Sequence, residues 1–158
     1  REAMNREQIE RAADGMMQMA LDNLERDGYV AFGALLLSKD TIMPVVLERV
    51  DAEQKERLGA FLRALASTGN YDAIAIVSEA WTLDASKEVT LPLQVPVSQH
   101  PNRVEGVFVQ MASRHGDLML TTHFKRDKAS KPIRPRSVSK AWQPGSPYSN
   151  FGGLFACA

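Results

Sequence analysis

Cysteine is nearly absent from this sequence: Cys157 is the only one in 158 residues. It has no partner for an internal disulfide and supplies no thiolate set for structural zinc. A reducing compartment, and with it a cytoplasmic location, is the expectation. Long apolar runs are missing too. None reaches the roughly 18 residues a spanning helix needs, and the N-terminal stretch has no basic region leading into an apolar one. Neither a membrane protein nor a secreted one is expected. Net charge is also lacking, because 19 Lys and Arg balance 19 Asp and Glu, so no whole-molecule field steers the chain toward nucleic acid or an acidic membrane. No glycine-rich phosphate loop or dinucleotide fingerprint follows a strand-like run, and neither Ser78 nor Ser98 has the glycine flanks of a nucleophile elbow. Nucleotide cofactors and covalent catalysis are therefore not expected. The three histidines, His100, His115 and His123, lack any spacing that sets two imidazoles on one ion, so no metal is expected either.

What is present is the composition of one ordinary domain, 44% hydrophobic and 24% charged, enough for a single core without staples. Ile9, Ala13, Met16, Ala20 and Leu24 recur at helical spacing, and Gly28 follows as the residue that closes the helix. The apolar run from Tyr29 to Leu37, the turn residues Ser38-Lys39-Asp40 and the run from Thr41 to Glu48 predict a β-hairpin. Pro44 lacks a ladder donor and places the second strand at a sheet edge. Asp51 and Gln54 form a capping pair ahead of Leu58, Phe61, Leu62 and Leu65, which predicts a helix over 52–67. The apolar run within 72–83 suggests a strand covered on both faces. A long proline-bearing loop over 85–102 follows, then two strands, 103–113 and 118–125, around Arg114-His115-Gly116-Asp117.

The order α-β-β-α-β-β-β predicts an α+β fold with a five-stranded antiparallel sheet, strand order 2-1-5-4-3, and both helices largely on one face. Residues 1–126 are expected to form this domain and 127–158 a C-terminal arm rich in proline and glycine. Residues 125–140 hold seven cations against Asp127 alone, a net +6 that the remainder of the chain cancels. Lys131, Arg134 and Arg136 in this stretch, with Trp142 or Tyr148 to stack on a base, are candidate nucleic-acid contacts. The same charges could instead rest on the acidic globule of this or a neighbouring subunit.

If strands 72–83 and 103–113 are neighbours, alternation brings Glu79 and Glu105 close, with Arg103 between them and His100 in the adjoining loop. Two carboxylates held together split their proton affinities and can divide the roles of general acid and base, with His100 orienting or shuttling a proton. The plainer alternative is a cross-strand cluster in which Arg103 pairs with the glutamates and stacks on Trp81.

Helix, hairpin, helix and apolar strand followed by Ser98-Gln99-His100-Pro101 looks superficially like a JAMM metalloprotease. That family needs a His-Ser-His-Pro type pair of histidines, a downstream aspartate ligand and an upstream catalytic glutamate; here Gln99 stands where the first histidine would be, no serine and aspartate follow at the family spacing, and the Tyr29 to Leu37 run has no acidic residue. Glu79-Ala80-Trp81 ending a strand, then His100-Pro101-Asn102-Arg103-Val104-Glu105 opening the next, is similar to segments of small uncharacterised proteins of bacteria and their phages. The resemblance covers about residues 72–126 and implies a paired role for the two segments without naming an activity. The element order resembles the profilin-like group that includes PAS, GAF and roadblock domains, which bind small molecules or partners more often than they catalyse.

These readings favour a non-enzymatic interaction domain, self-associating as a homodimer or bound to a protein partner. Met4, Met16, Met17 and Met19 exceed what one core stripe needs, and Met17 or Met19 is the candidate for self-association. The alternatives are a small hydrolase using Glu79, Glu105 and His100, and a nucleic-acid-associated protein acting through the basic arm.

Overall fold

A computed structural model describes residues 2–46, 51–84, 86–145 and 150–156 of the chain. Tyr148 and Cys157 lie outside the described residues, as does the end of the second expected strand. The first helix, α1 (Arg6–Asp27), opens on a capping box in which Asn5 and Gln8 satisfy each other's backbone N–H groups. It closes at Gly28, whose φ of 82° is the left-handed conformation that lets the N–H of residue 28 bond back to the Leu24 carbonyl. The second, α2 (Ala52–Ser67), is capped in the same way by Asp51 and Gln54.

The strands are β1 (Gly33–Ser38), β2 (Thr41–Val46), β3 (Ala73–Leu83), β4 (Arg103–Ser113), β5 (Gly116–Arg126), β6 (Pro132–Ile133) and β7 (Ser139–Gln143). They form one antiparallel sheet in the order β2-β1-β3-β4-β5, with β6 and β7 both pairing with β5 at its two ends. The fold is α+β, with two α-helices among the described residues, but the sheet they show has seven strands and not five. The expected order 2-1-5-4-3 is wrong: β3 lies between β1 and β4, and does not border the sheet. The reason is in the run Ala73-Ile74-Ala75-Ile76-Val77, every residue of which is buried. A segment apolar on both faces needs neighbours on both edges and cover above and below, which an edge position cannot supply.

The same run overturns the expectation that the helices share a face. Ala73, Ala75 and Val77 join Val107, Val109, Met111, Leu118 and Leu120 beneath α1, where Ile9, Ala13, Met16, Met17, Leu21 and Leu24 pack. Ile74 and Ile76 turn the other way and join Ala34, Leu36 and Ala112 beneath α2, where Leu58, Leu62 and Ala66 pack together with Leu154 and Phe155. Two cores therefore lie on opposite sides of one sheet. Pro44 stands in β2 at the sheet edge, as its missing donor requires. Among the described residues, no helix is long and apolar enough to cross a membrane.

Part of the C-terminal region is built into the sheet. β7 pairs with β5 from Asp117 to Thr121, and its neighbouring side chains rest on α1. Arg134 bonds Asp22, Glu25 and Gln18, Lys140 bonds Asp14, and the Trp142 indole donates to Glu10 while Arg6 lies 4.4 Å over its ring. Glu10, Asp14, Gln18, Asp22 and Glu25 recur at helical spacing, so they form one acidic stripe along α1 that the basic stretch meets. On the opposite face, residues 151–155 are held through their backbone. The Arg63 guanidinium donates to the carbonyls of Gly152 and Gly153, Gln110 donates to that of Phe151, and the buried Asp117 carboxylate accepts from the Gly153 N–H at 2.8 Å.

Candidate functional site

Antiparallel register determines what meets at the far end of β3 and β4. Glu79 faces Val107, Trp81 faces Glu105 and Leu83 faces Arg103. Facing residues project to the same side of a sheet, so Glu79, Trp81, Arg103 and Glu105 all share the α1 side, with Glu79 and Glu105 on the diagonal. Phe124 of β5 faces Glu105 in turn, and Arg126, two residues further, joins the same surface.

Arg126 organises the group. Its Nε donates to Glu105 Oε1 at 2.8 Å and one terminal nitrogen donates to Glu105 Oε2 at 3.0 Å, a two-pronged pair. The same guanidinium reaches the carbonyl of Gly28 at 3.2 Å and that of Ser130 at 3.0 Å, and it lies 5.4 Å over the Phe124 ring. It therefore ties the C-terminus of α1, the start of β4 and the turn after β5 to one another. The hydrogen bonds to Glu105 also hold the Arg126 pKa above its usual value.

Glu79 is placed differently. Burial raises its pKa above the ordinary carboxylate value and nearby Glu105 adds to that, while the Val30 N–H and Arg126 pull the other way. Its Oε2 is buried and has no hydrogen-bond partner among the described residues. A cavity of about 220 Å³ opens beside it, lined by Glu79, Ala80, Trp81 and Glu105. A second, of about 310 Å³, lies on the other side of the strand and shares Glu79 and Ala80 with the first.

The remaining expected site residues separate from this pair. Arg103 does not sit between the glutamates: its guanidinium lies 4.9 Å over the Trp81 ring and donates to the His100 carbonyl. His100 turns back on its own loop, its Nδ1 accepting the Asn102 N–H at 3.0 Å, and it makes no hydrogen bond to either glutamate. His123 projects from the opposite face of the sheet, where its ring meets Thr82 at 3.1 Å. Lys131 and Arg136 are exposed and make no ion pair among the described residues, whereas Arg134 and Lys140 spend their charge on α1. Among the described residues no group of three or more His, Cys, Asp or Glu side chains is arranged to hold a metal ion.

Arg126 is the residue that sequence reasoning missed. The signal existed, since alternation along β5 puts residues 124 and 126 on one face, and a cation two residues past an aromatic opposite Glu105 falls on the glutamate's diagonal. Chemically, the arrangement holds one carboxyl group, Glu105, with both oxygens bonded by Arg126, beside another, Glu79, that keeps its proton more readily than usual and has an oxygen left to bond. No protein family, curated protein or solved structure matches the chain.

Proposed function

We propose that the chain is a non-enzymatic interaction domain that associates with a second copy of itself along the β2 side of the sheet. The observation that carries this reading is an apolar strip at the open edge. Met19 of α1 is 50% exposed and Ile42 of β2 is 56% exposed, unlike Met16 and Met17, which are buried in the core. Register turns Ile42 and Pro44 toward the α1 side, where Met19 and Pro44 line one largely apolar groove of about 200 Å³ with Leu35 and Met16. Met43, 44% exposed, extends the apolar surface around the edge. A patch of this kind disfavours isolation in water, and methionine adapts its shape to a partner surface. A two-fold pairing buries the same strip from both copies at once. Because Pro44 interrupts the main-chain donors, side-chain packing and not a continued ladder supplies the contact.

Sedimentation equilibrium at high micromolar concentration tests the reading. The native chain should sediment as a dimer, and Met19→Glu or Ile42→Glu should sediment as a folded monomer. A native monomer, or variants that dimerise as before, refutes it.

The hydrolase reading keeps one favourable observation, the unpartnered Glu79 oxygen beside a cavity. It is weakened by the engagement of Glu105 with Arg126 and by the turn of His100 toward its own loop. The nucleic-acid reading retains Lys131 and Arg136 but draws no support from Arg134, whose partners are acidic side chains of the same chain.

A further inference from the structure

β3 is longer than the strand that flanks it. β4 pairs with all of Ala73–Leu83, whereas β1 pairs only with Ala73–Val77. From residue 78 onward, no strand among the described residues lies along the other side of β3. Val30 and Phe32, which lead into β1, do not pair with this part of β3 as a strand, although the Val30 N–H reaches the Glu79 side chain; the cavities of about 310 and 220 Å³ open on the two faces of the sheet beside Glu79 and Ala80. Such an edge presents main-chain N–H and C=O groups at alternate residues, in the spacing an added strand would match.

The side chains along it make the edge selective. On the α1 side stand Glu79, with its buried and unpartnered Oε2, and Trp81, 41% exposed. On the other side the projecting residues are small, Ser78, Ala80 and Thr82, and the larger cavity is walled by Phe32, Phe108 and Phe151. A plain apolar strand laid here would leave the buried Glu79 oxygen without a donor, which is costly for a buried polar group. A strand with a cation at that position satisfies it, so an inward-facing charge both repels indiscriminate pairing and selects its complement. Glu105 cannot play this part, because Arg126 already occupies both of its oxygens.

We infer that residues 78–83 are a docking edge for an extended segment of a partner protein, one that places a lysine or arginine against Glu79. Alternation gives the rest of the pattern. The partner residue next to the cation enters the cavity beside Ala80 and is bulky and apolar, and the one after it lies on Trp81. This edge is separated from β2 by β1, so the inference stands whether or not two copies associate through β2.

The test uses the whole chain and a blocked peptide of sequence Thr-Lys-Phe-Val-Thr, followed by calorimetry and by amide hydrogen exchange. The lysine peptide should bind about ten-fold or more tighter than the same peptide with glutamine for lysine, the gain expected of one charge-assisted hydrogen bond. It should slow exchange of those amides within 78–83 that do not bond β4. Glu79→Gln, which keeps an acceptor for the Val30 N–H, should bring the two peptides to equal affinity. Methylating the peptide's backbone nitrogens should abolish binding to the native chain, a control that involves no protein variant. Four results would each overturn the inference: no saturable binding of the lysine peptide, equal binding of the glutamine peptide, unaltered binding after methylation, or amides on the outer edge of 78–83 already protected in the free protein.

Discussion

Replacing Arg126 by methionine removes the cation that binds the end of the sheet to α1 while keeping most of the apolar stem. The lost contacts are two hydrogen bonds to Glu105 and one each to the carbonyls of Gly28 and Ser130. The Arg126 and Glu105 side chains are 29% and 21% exposed, so the pair lies between a surface ion pair, which contributes about 0–1 kcal/mol, and a buried one, whose disruption costs about 3–5 kcal/mol. A loss of about 2–3 kcal/mol follows, or a fall in Tm of roughly 5–10 °C for a domain of this length. The loss should also depend on pH. Without the cation, Glu79 and Glu105 face each other as like charges, and Glu79 keeps its proton still more readily because one of the influences that lowers its pKa is gone. Acid that protonates Glu79 removes the repulsion in the variant, so the difference between the two proteins narrows. Urea unfolding followed by circular dichroism, at about pH 7 and near the carboxylate range at about pH 4, reads both effects. A loss below about 0.5 kcal/mol at neutral pH, the scatter of an ordinary surface substitution, would refute the reasoning, as would a loss unchanged by acid.

Gly59→Ala should destabilise the protein although helix propensity alone argues for a gain of about 1 kcal/mol. A Cβ there would stand 2.2 Å from the backbone oxygen of Asn150, an atom that cannot rotate away without shifting the segment that buries Leu154 and Phe155. Overpacking of this kind costs about 1–3 kcal/mol; limited proteolysis should cut the C-terminal segment faster, and a stabilised variant would contradict the close approach. Burial raises the pKa of Asp117 as it does that of Glu79, with the Gly153 N–H, Gln110 and Arg63 opposing. The folded chain therefore binds these protons more tightly than the unfolded one, and the contribution to stability is lost as pH rises from the ordinary carboxylate range through the raised values. Asp117→Asn keeps an acceptor for Gly153 and removes that titration, so its stability relative to the native chain should improve with rising pH. A constant or shrinking difference in urea midpoints would show that Asp117 is not held this way.

Local chemistry, readable residue by residue, determined α1, α2 and the strands β1 to β5, but not β6 and β7, which fall in the stretch expected to be an arm. Asp51 with Gln54 announces α2, Gly28 ends α1, and the two strands around Arg114 and His115 follow from alternation and a permitted turn. Alternation also puts Glu79 and Glu105 on a common face if residues 72–83 and 103–113 are neighbours, and the register shows those two strands paired. The acidic stripe on α1 was equally present in the sequence, spaced at three and four residues, though its complement lies more than a hundred positions away.

Tertiary structure decided which strands adjoin and which cation meets which carboxylate. Strand order depends on the sum of contacts on both faces of every strand, and the run Ala73–Val77 takes a place inside the sheet only because α1 and α2 arrive to cover its two sides. Arg103 and Arg126 are both long enough to reach Glu105. The sequence counts them as equals, but only Arg126 is held by the carbonyls of Gly28 and Ser130 in the orientation that a two-pronged bond requires. Periodicity and capping act within a few residues and are written in the chain itself; the choice among competing long-range partners is made by packing, which exists only after the chain has folded.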